Sequence, residues 1–334
     1  MKIALVFTFL IALFSTSFAA SDDDGKTALL IIDVQDCFME AAGTNSGEDG
    51  TLPVADTAAI IPLINSIRQD KDCLFDVVVR SQDYHPPSHI SFGPTHGLEP
   101  FAHLAGKGEL PLTCVNPSSG STSDASCCPT YHISPYDCES MLCPNTSAVA
   151  LADIMESPAC SVCKNSPEEC FETTQAMWTN HCLEDWDSIF PPGLVTEPTD
   201  IVVQKGGKKY VDSYSAFMDN TKKLKTPLDD ILKENSVKTI YVVGIATDYC
   251  VYYSTIDALS LGYEVYLVLD ATRGIAQATV DAAVADMRAN NATIINTADV
   301  LATECPDESS AVTNAATLGF LLWSVVGFWM AVSF

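Results

Sequence analysis

Three residue types that together make a nucleophilic hydrolase stand at separate points of this 334-residue chain. Asp33 closes the apolar run Leu30-Ile31-Ile32-Asp33 and is followed by Val34-Gln35-Asp36. A carboxylate at a strand end acts as a general base, or simply as a helix cap or turn residue. Lys205 follows Ile201-Val202-Val203-Gln204, with Gly206 beside it and Asp212-Ser213-Tyr214-Ser215-Ala216-Phe217 downstream. An ammonium there either reaches a reacting group or is an ordinary solvated loop lysine. Cys250 ends Gly244-Ile245-Ala246-Thr247-Asp248-Tyr249-Cys250, where a helix is predicted to begin. Unpaired N–H groups and the positive dipole end at a helix start lower a thiol pKa, and the same N–H groups hold an oxyanion. A buried structural cysteine is the alternative. Singly each residue is ambiguous, but a carboxylate, an ammonium and a thiol facing one crevice form a nucleophilic amidase set.

A second set of side chains suits a metal. Asp83, His85 and His89 fall within the seven residues Asp83-Tyr84-His85-Pro86-Pro87-Ser88-His89, and His181 closes Trp178-Thr179-Asn180-His181. Oxygen and nitrogen ligands of this kind fit zinc, iron or manganese.

The elements that must position these residues are legible as short β-branched runs alternating with amphipathic stretches. Strands are predicted at 28–34, 76–80, 200–203, 239–244, 264–269 and 293–296, and helices at 55–68, 249–261 and 277–290. The strand runs are apolar without strict alternation, as expected where both faces are covered. Strand–helix alternation implies an α/β fold with a doubly wound, mainly parallel sheet and helices on both faces, whose active site lies at the carboxyl ends of the strands. One domain is predicted over 26–303, interrupted at 106–174 by a disulfide-rich insertion. This stretch holds eight cysteines among many Ser, Pro and Asn residues. Bridges would hold it more than a core, although Cys160-Ser161-Val162-Cys163 is also half of a zinc-site pattern.

With 47% hydrophobic residues the chain can bury a full core. Its 43 acidic against 17 basic residues give a net charge of -26, which repels phosphate backbones and excludes nucleic acid as a partner. Thirteen cysteines exceed what a reduced compartment usually carries, and an odd count leaves at least one unpaired or bridged to another chain. The ends agree with an oxidising destination. Residues 1–20 read as a signal peptide. Residues 310–334, with small residues, a spacer and an apolar tail, read as a removable lipid-anchor (GPI) signal or as a retained span. Asn145 and Asn291 are glycosylation acceptors. The expected location is the secretory pathway and the extracellular face of the plasma membrane.

In combination, Asp33-x-Gln35-x-x-Phe38, Asp83-x-His85, Trp178-x-x-His181-Cys182, Lys205-Gly206 with Tyr214-Ser215-Ala216-Phe217, and Gly244 to Val251 resemble the nicotinamidase branch of the isochorismatase-like cysteine hydrolases. The resemblance covers about 26–299 outside the insertion. It implies Asp33, Lys205 and Cys250 as catalytic residues, and the backbone N–H groups of Ala246 and Cys250 as an oxyanion hole beside a cis Ile245-Ala246 peptide. It implies Phe38, Trp178 and Ala246 as substrate contacts. It also implies a divalent metal, zinc first with iron or manganese compatible, on Asp83, His85 and His181, with His89 nearer the shell. The implied substrate is nicotinamide. Hydrolysis of another small amide or an isochorismate-like compound is an alternative, as is a cell-surface binding role for the insertion. A homo-oligomer and a protein partner on the insertion stay open.

Overall fold

The computed structural model describes residues 25–96, 100, 110–112, 173–184, 187–208, 211–220, 222 and 224–305. Six strands form one sheet: β1 (Lys26–Ile32), β2 (Val77–Asp83), β5 (Ile201–Lys205), β6 (Val237–Ile245), β7 (Glu264–Arg273) and β8 (Thr293–Ile295). Their order is β5-β2-β1-β6-β7-β8, and every pairing is parallel. The last five residues of β1 are all buried, so the sheet is covered on both faces and the apolar runs need no alternation.

The helices are α1 (Ile60–Asp70), α2 (Leu228–Glu234), α3 (Cys250–Ser260), α4 (Gln277–Ala289) and α5 (Thr297–Ala302). Helix α1 packs on β7 and against α5, whereas α3 packs on β6 and β7 and against α4. The predicted helix from residue 55 begins instead at Ile60, after a single 3-10 turn at Thr57–Ala59. Pro62 explains the later start. It is tolerated in a first helical turn, where its missing N–H has no partner to lose, and would clash deeper inside. Helices α2 and α5 were not foreseen, because seven and six residues are too short for a periodic pattern. Helix α5 is instead fixed by a capping box between Asn296 and Asp299.

The chain builds outward from β1 to β2 and β5 on one side, then crosses to β6, β7 and β8 on the other. The strand order therefore reverses between β1 and β6, and a crevice opens beyond their carboxyl ends. Gly244 permits the close approach there. Its φ is +118°, and a Cβ at this position would lie 2.0 Å from the Ile32 carbonyl oxygen.

A separate antiparallel pair, β3 (Leu110–Leu112) with β4 (Thr173–Gln175), joins the two ends of the predicted insertion. The rest of that insertion, the predicted signal peptide and the apolar tail lie outside the described residues. Among the described residues no helix is long and apolar enough to cross a membrane. Among the described residues there are two disulfides, Cys37–Cys182 and Cys73–Cys305, and one free cysteine, Cys250.

Candidate active site

Four adjacent strands deliver the site. Lys205 is the last residue of β5 and Asp83 the last of β2, paired in register. Asp33 is the first residue after β1, and Cys250 opens α3, five residues after the end of β6 and just beyond the cis Ile245-Ala246 peptide. Strand β2 thus runs three residues beyond its predicted end, and Asp83 belongs to the strand itself.

Asp33 adopts a positive φ of 47° and is completely buried. Its N–H donates to Ser81 Oγ at 3.0 Å, and the Ser81 hydroxyl donates to Asp33 Oδ1 at 2.6 Å. Lys205 Nζ lies 2.8 Å from Asp33 Oδ2, 2.9 Å from Asp83 Oδ1, 2.9 Å from the Ser213 carbonyl and 3.4 Å from Cys250 Sγ. A single ammonium therefore bridges two buried carboxylates and touches the thiol. Burial would lower the Lys205 pKa, but Asp33 and Asp83 outweigh it and hold the lysine charged, well above its usual range.

The thiol departs from the sequence expectation. Burial pushes Cys250 well above the ordinary cysteine value; Lys205 opposes this, while Asp33 and Asp83 add to it. Desolvation outweighs the position at the helix start, so the resting group is a thiol, bonded to Asp33. Burial also raises the Asp33 pKa, with Lys205 pulling it down. The pair is a thiol beside a buried carboxyl group, bonded to each other.

On the other side of Lys205, Asp83 Oδ2 lies 3.0 Å from His85 Nε2 and 3.5 Å from His181 Nε2. The three atoms converge as a metal-ligand set would. His85 Nδ1 is 2.9 Å from the Gly206 carbonyl, and His181 Nδ1 is 2.9 Å from the Thr179 carbonyl. Both Nδ1 atoms donate there, which turns both Nε2 atoms toward the carboxylate, the orientation that a metal-binding pair of imidazoles needs. Gly206, with φ +72°, makes room: a Cβ would sit 2.5 Å from His85 Cε1.

His89 stacks on His85 with ring centroids 4.1 Å apart. Its Nδ1 meets Ser91 Oγ at 2.7 Å and its Nε2 meets the Lys208 carbonyl at 3.1 Å, so both nitrogens are engaged by protein groups. Burial and the neighbouring His85 hold its pKa well below the usual histidine range. It buttresses His85 as a neutral ring.

Phe38, Trp178 and Ala246 line one pocket with Asp83, His181 and Cys250. The Phe38 and His181 rings are 5.5 Å apart, and Trp178 meets Tyr249 edge-on at 4.8 Å. A larger cleft of about 720 Å³ lies beside α4, between Asp56, Arg273 and Arg288, but it contains no nucleophile.

This geometry coincides with independent similarity. The Isochorismatase domain family matches residues 166–299. The nicotinamidase of Acinetobacter baylyi is 28% identical over 74% of this chain and 81% of its own length, and that of Escherichia coli is 28% identical over 81% and 95%. A solved nicotinamidase/pyrazinamidase structure from Acinetobacter baumanii superposes with a TM-score of 0.56 at 28% identity, over 83% of this chain and 98% of that one. The chain is thus similar to nicotinamidases over most of its length, and to the isochorismatase domain over 166–299.

The Asp33, Lys205 and Cys250 set meets the Asp83, His85 and His181 set at the Lys205 ammonium, Phe38, Trp178 and Ala246 line the adjoining pocket, and His89 lies behind His85. Four supporting residues carried no assigned role. Ser81 sits in the middle of β2 and reads as a core residue until its hydroxyl is seen on Asp33. Gln35 Nε2 donates to the Asp83 carbonyl at 2.9 Å while its Oε1 accepts the Asp83 N–H at 2.8 Å, clamping the ligand's backbone. Asp212 is buried with Oδ1 3.9 Å from His85 Nε2, and forms a further potential ligand group with His85 and His89. Tyr214 Oη accepts from Gln175 Nε2 at 3.0 Å and Trp178 Nε1 at 3.3 Å, tying β4 to the pocket wall. The only advance signal for Gln35, Asp212 and Tyr214 was their place inside the motifs.

Proposed function

We propose that this chain is a nicotinamidase, hydrolysing nicotinamide to nicotinate and ammonia through a thioester on Cys250. The observation that carries the reading is Lys205, which bonds Asp33 on the nucleophile side and Asp83 on the metal-ligand side. A carboxamide carbon held at Cys250 therefore has its attached ring beside His85 and His181. The relatives reported above, named as nicotinamidases, support the same substrate class.

The residues fit a divalent metal on Asp83, His85 and His181, zinc being the first expectation for this donor set. When bound, it would supply a Lewis-acidic anchor for the pyridine nitrogen and so orient the ring. The chain's own groups perform the chemistry. Asp33 takes the proton of Cys250, and Sγ attacks the carboxamide carbon. The oxygen gathers negative charge facing the Ala246 and Cys250 N–H groups. The C–N bond breaks as Asp33 returns the proton to the departing nitrogen, releasing ammonia. Water then gives a proton to Asp33 and attacks the thioester carbon, and the thiolate leaves and recovers that proton. Phe38 and Trp178 bound the aromatic slot. An oxidising, extracytosolic setting is supported by the two disulfides.

Ammonia release from a panel of small amides tests the proposal. Nicotinamide should be preferred, Cys250→Ala should abolish turnover, and Asp83→Ala or chelation should reduce it strongly. Turnover of nicotinamide surviving Cys250→Ala overturns the mechanism.

A further inference from the structure

We infer that the Cys37–Cys182 disulfide is a positioning element of the binding pocket, holding His181 and Phe38 against each other so that metal affinity and substrate KM depend on it. The inference rests on the proposed metal role of His181. The bridge joins residues 145 apart in sequence, and each cysteine is the immediate neighbour of a pocket residue, Phe38 after Cys37 and His181 before Cys182. Both cysteines are fully buried, and Cys182 takes a positive φ of 46°. The Cys182 carbonyl accepts the His85 N–H at 2.9 Å, so the same crosslinked residue also sets the backbone of a second ligand.

The need for such a tie follows from topology. His85 and His181 lie on either side of the predicted insertion, and the returning segment from β4 to Leu183 carries Trp178 and His181. Apart from the bridge, the described contacts that hold that segment to the pocket are noncovalent, side-chain bonds of Gln175 and Trp178 to Tyr214 together with backbone bonds. Examples are Trp178 N–H to the Ser91 carbonyl and Gly93 N–H to the Trp178 carbonyl, both 2.8 Å. The disulfide fixes it covalently to the turn after β1 that carries Phe38. Lys205 and Cys250 are reached by other strands, and Asp33 is held directly at the end of β1 by Ser81 and Lys205, so the nucleophile should be affected less than the ring slot and the ligands.

Cobalt(II) titration of the secreted protein, followed by its visible absorption, separates the possibilities. Wild type should bind cobalt, and Cys37→Ala/Cys182→Ala should bind it at least about tenfold more weakly, the scale of losing a group that orients a metal ligand. With nicotinamide, KM should rise more than kcat falls. Cys73→Ala/Cys305→Ala, which removes the disulfide remote from the pocket, should change neither. Wild-type affinity and KM in the Cys37/Cys182 variant would overturn the inference while leaving the nicotinamidase reading intact. Failure of wild type to bind cobalt would overturn the metal role and the inference together.

A measurement on unmutated protein covers the case of a variant that does not fold. Linkage is reciprocal, so saturating zinc should protect Cys37 and Cys182 from phosphine reduction and alkylation, read by peptide mass spectrometry. Protection should be about tenfold and should not extend to Cys73 and Cys305. Equal labelling with and without zinc would overturn the inference.

Discussion

Replacing Lys205 by methionine keeps the volume of a side chain that is almost fully buried and removes its charge. Two buried carboxylates, Asp33 and Asp83, now 2.8 and 2.9 Å from the ammonium, would then face each other's field without a counter-ion. Removing one partner from a buried ion pair costs about 3–5 kcal/mol, and the protein can relieve this by protonating Asp33, whose pKa burial already raises. Either route disables the base. Loss of a positioned general base lowers the rate by about 10²–10⁴-fold, so Lys205→Met should be both unstable in urea and nearly inactive.

The double variant Asp33→Asn/Lys205→Met separates this account from simple misfolding. Removing one of the two orphaned carboxylates should restore about 1–3 kcal/mol relative to Lys205→Met, a non-additive coupling typical of groups in direct contact, while activity stays absent. Urea midpoints for wild type, both single variants and the double variant give the cycle. Additive losses, or a Lys205→Met protein with wild-type stability and more than about a tenth of wild-type turnover, would refute the reasoning.

Protonation of Asp33 removes the base, so kcat/KM should fall as pH drops through the Asp33 pKa. Because burial raises that pKa, the fall should begin above the pH expected for an ordinary aspartate near 3.8. Ser81→Ala removes a hydroxyl that stabilises the charged form of Asp33 and should move the same limb further upward; a pH–rate profile shows whether it moves. Gly206→Ala places a methyl 2.5 Å from His85 Cε1 in a left-handed backbone position. It should therefore weaken cobalt binding while the far-UV circular dichroism stays unchanged.

The six strands were legible because continuous apolar β-branched runs survive only where a sheet is covered on both faces, and the reactive residues were legible because each follows such a run. What escaped was set by distance across the sheet. The Lys205–Asp83 contact comes from the β2/β5 register, which no spacing along one chain encodes. The direction of the Cys250 pKa escaped for a related reason. A helix start is visible in sequence, but the depth of burial around it is not, and here burial decides the charge state. Odd cysteine parity required a leftover thiol, and the described residues leave Cys250 in that role; the pairing of Cys37 with Cys182 needed geometry.

That pairing also explains how a pocket can tolerate a long excursion between His85 and His181. Loop-closure entropy grows slowly, about 0.6 kcal/mol for each doubling of length, so the length of the excursion is a smaller obstacle than the accuracy of its return. Three features set the return. Pairing of β3 with β4 joins the neck, Gln175 docks on Tyr214 and Asp212, and the Cys37–Cys182 bridge closes the far side at His181. Each acts at a residue adjoining the pocket and none acts on the excursion itself.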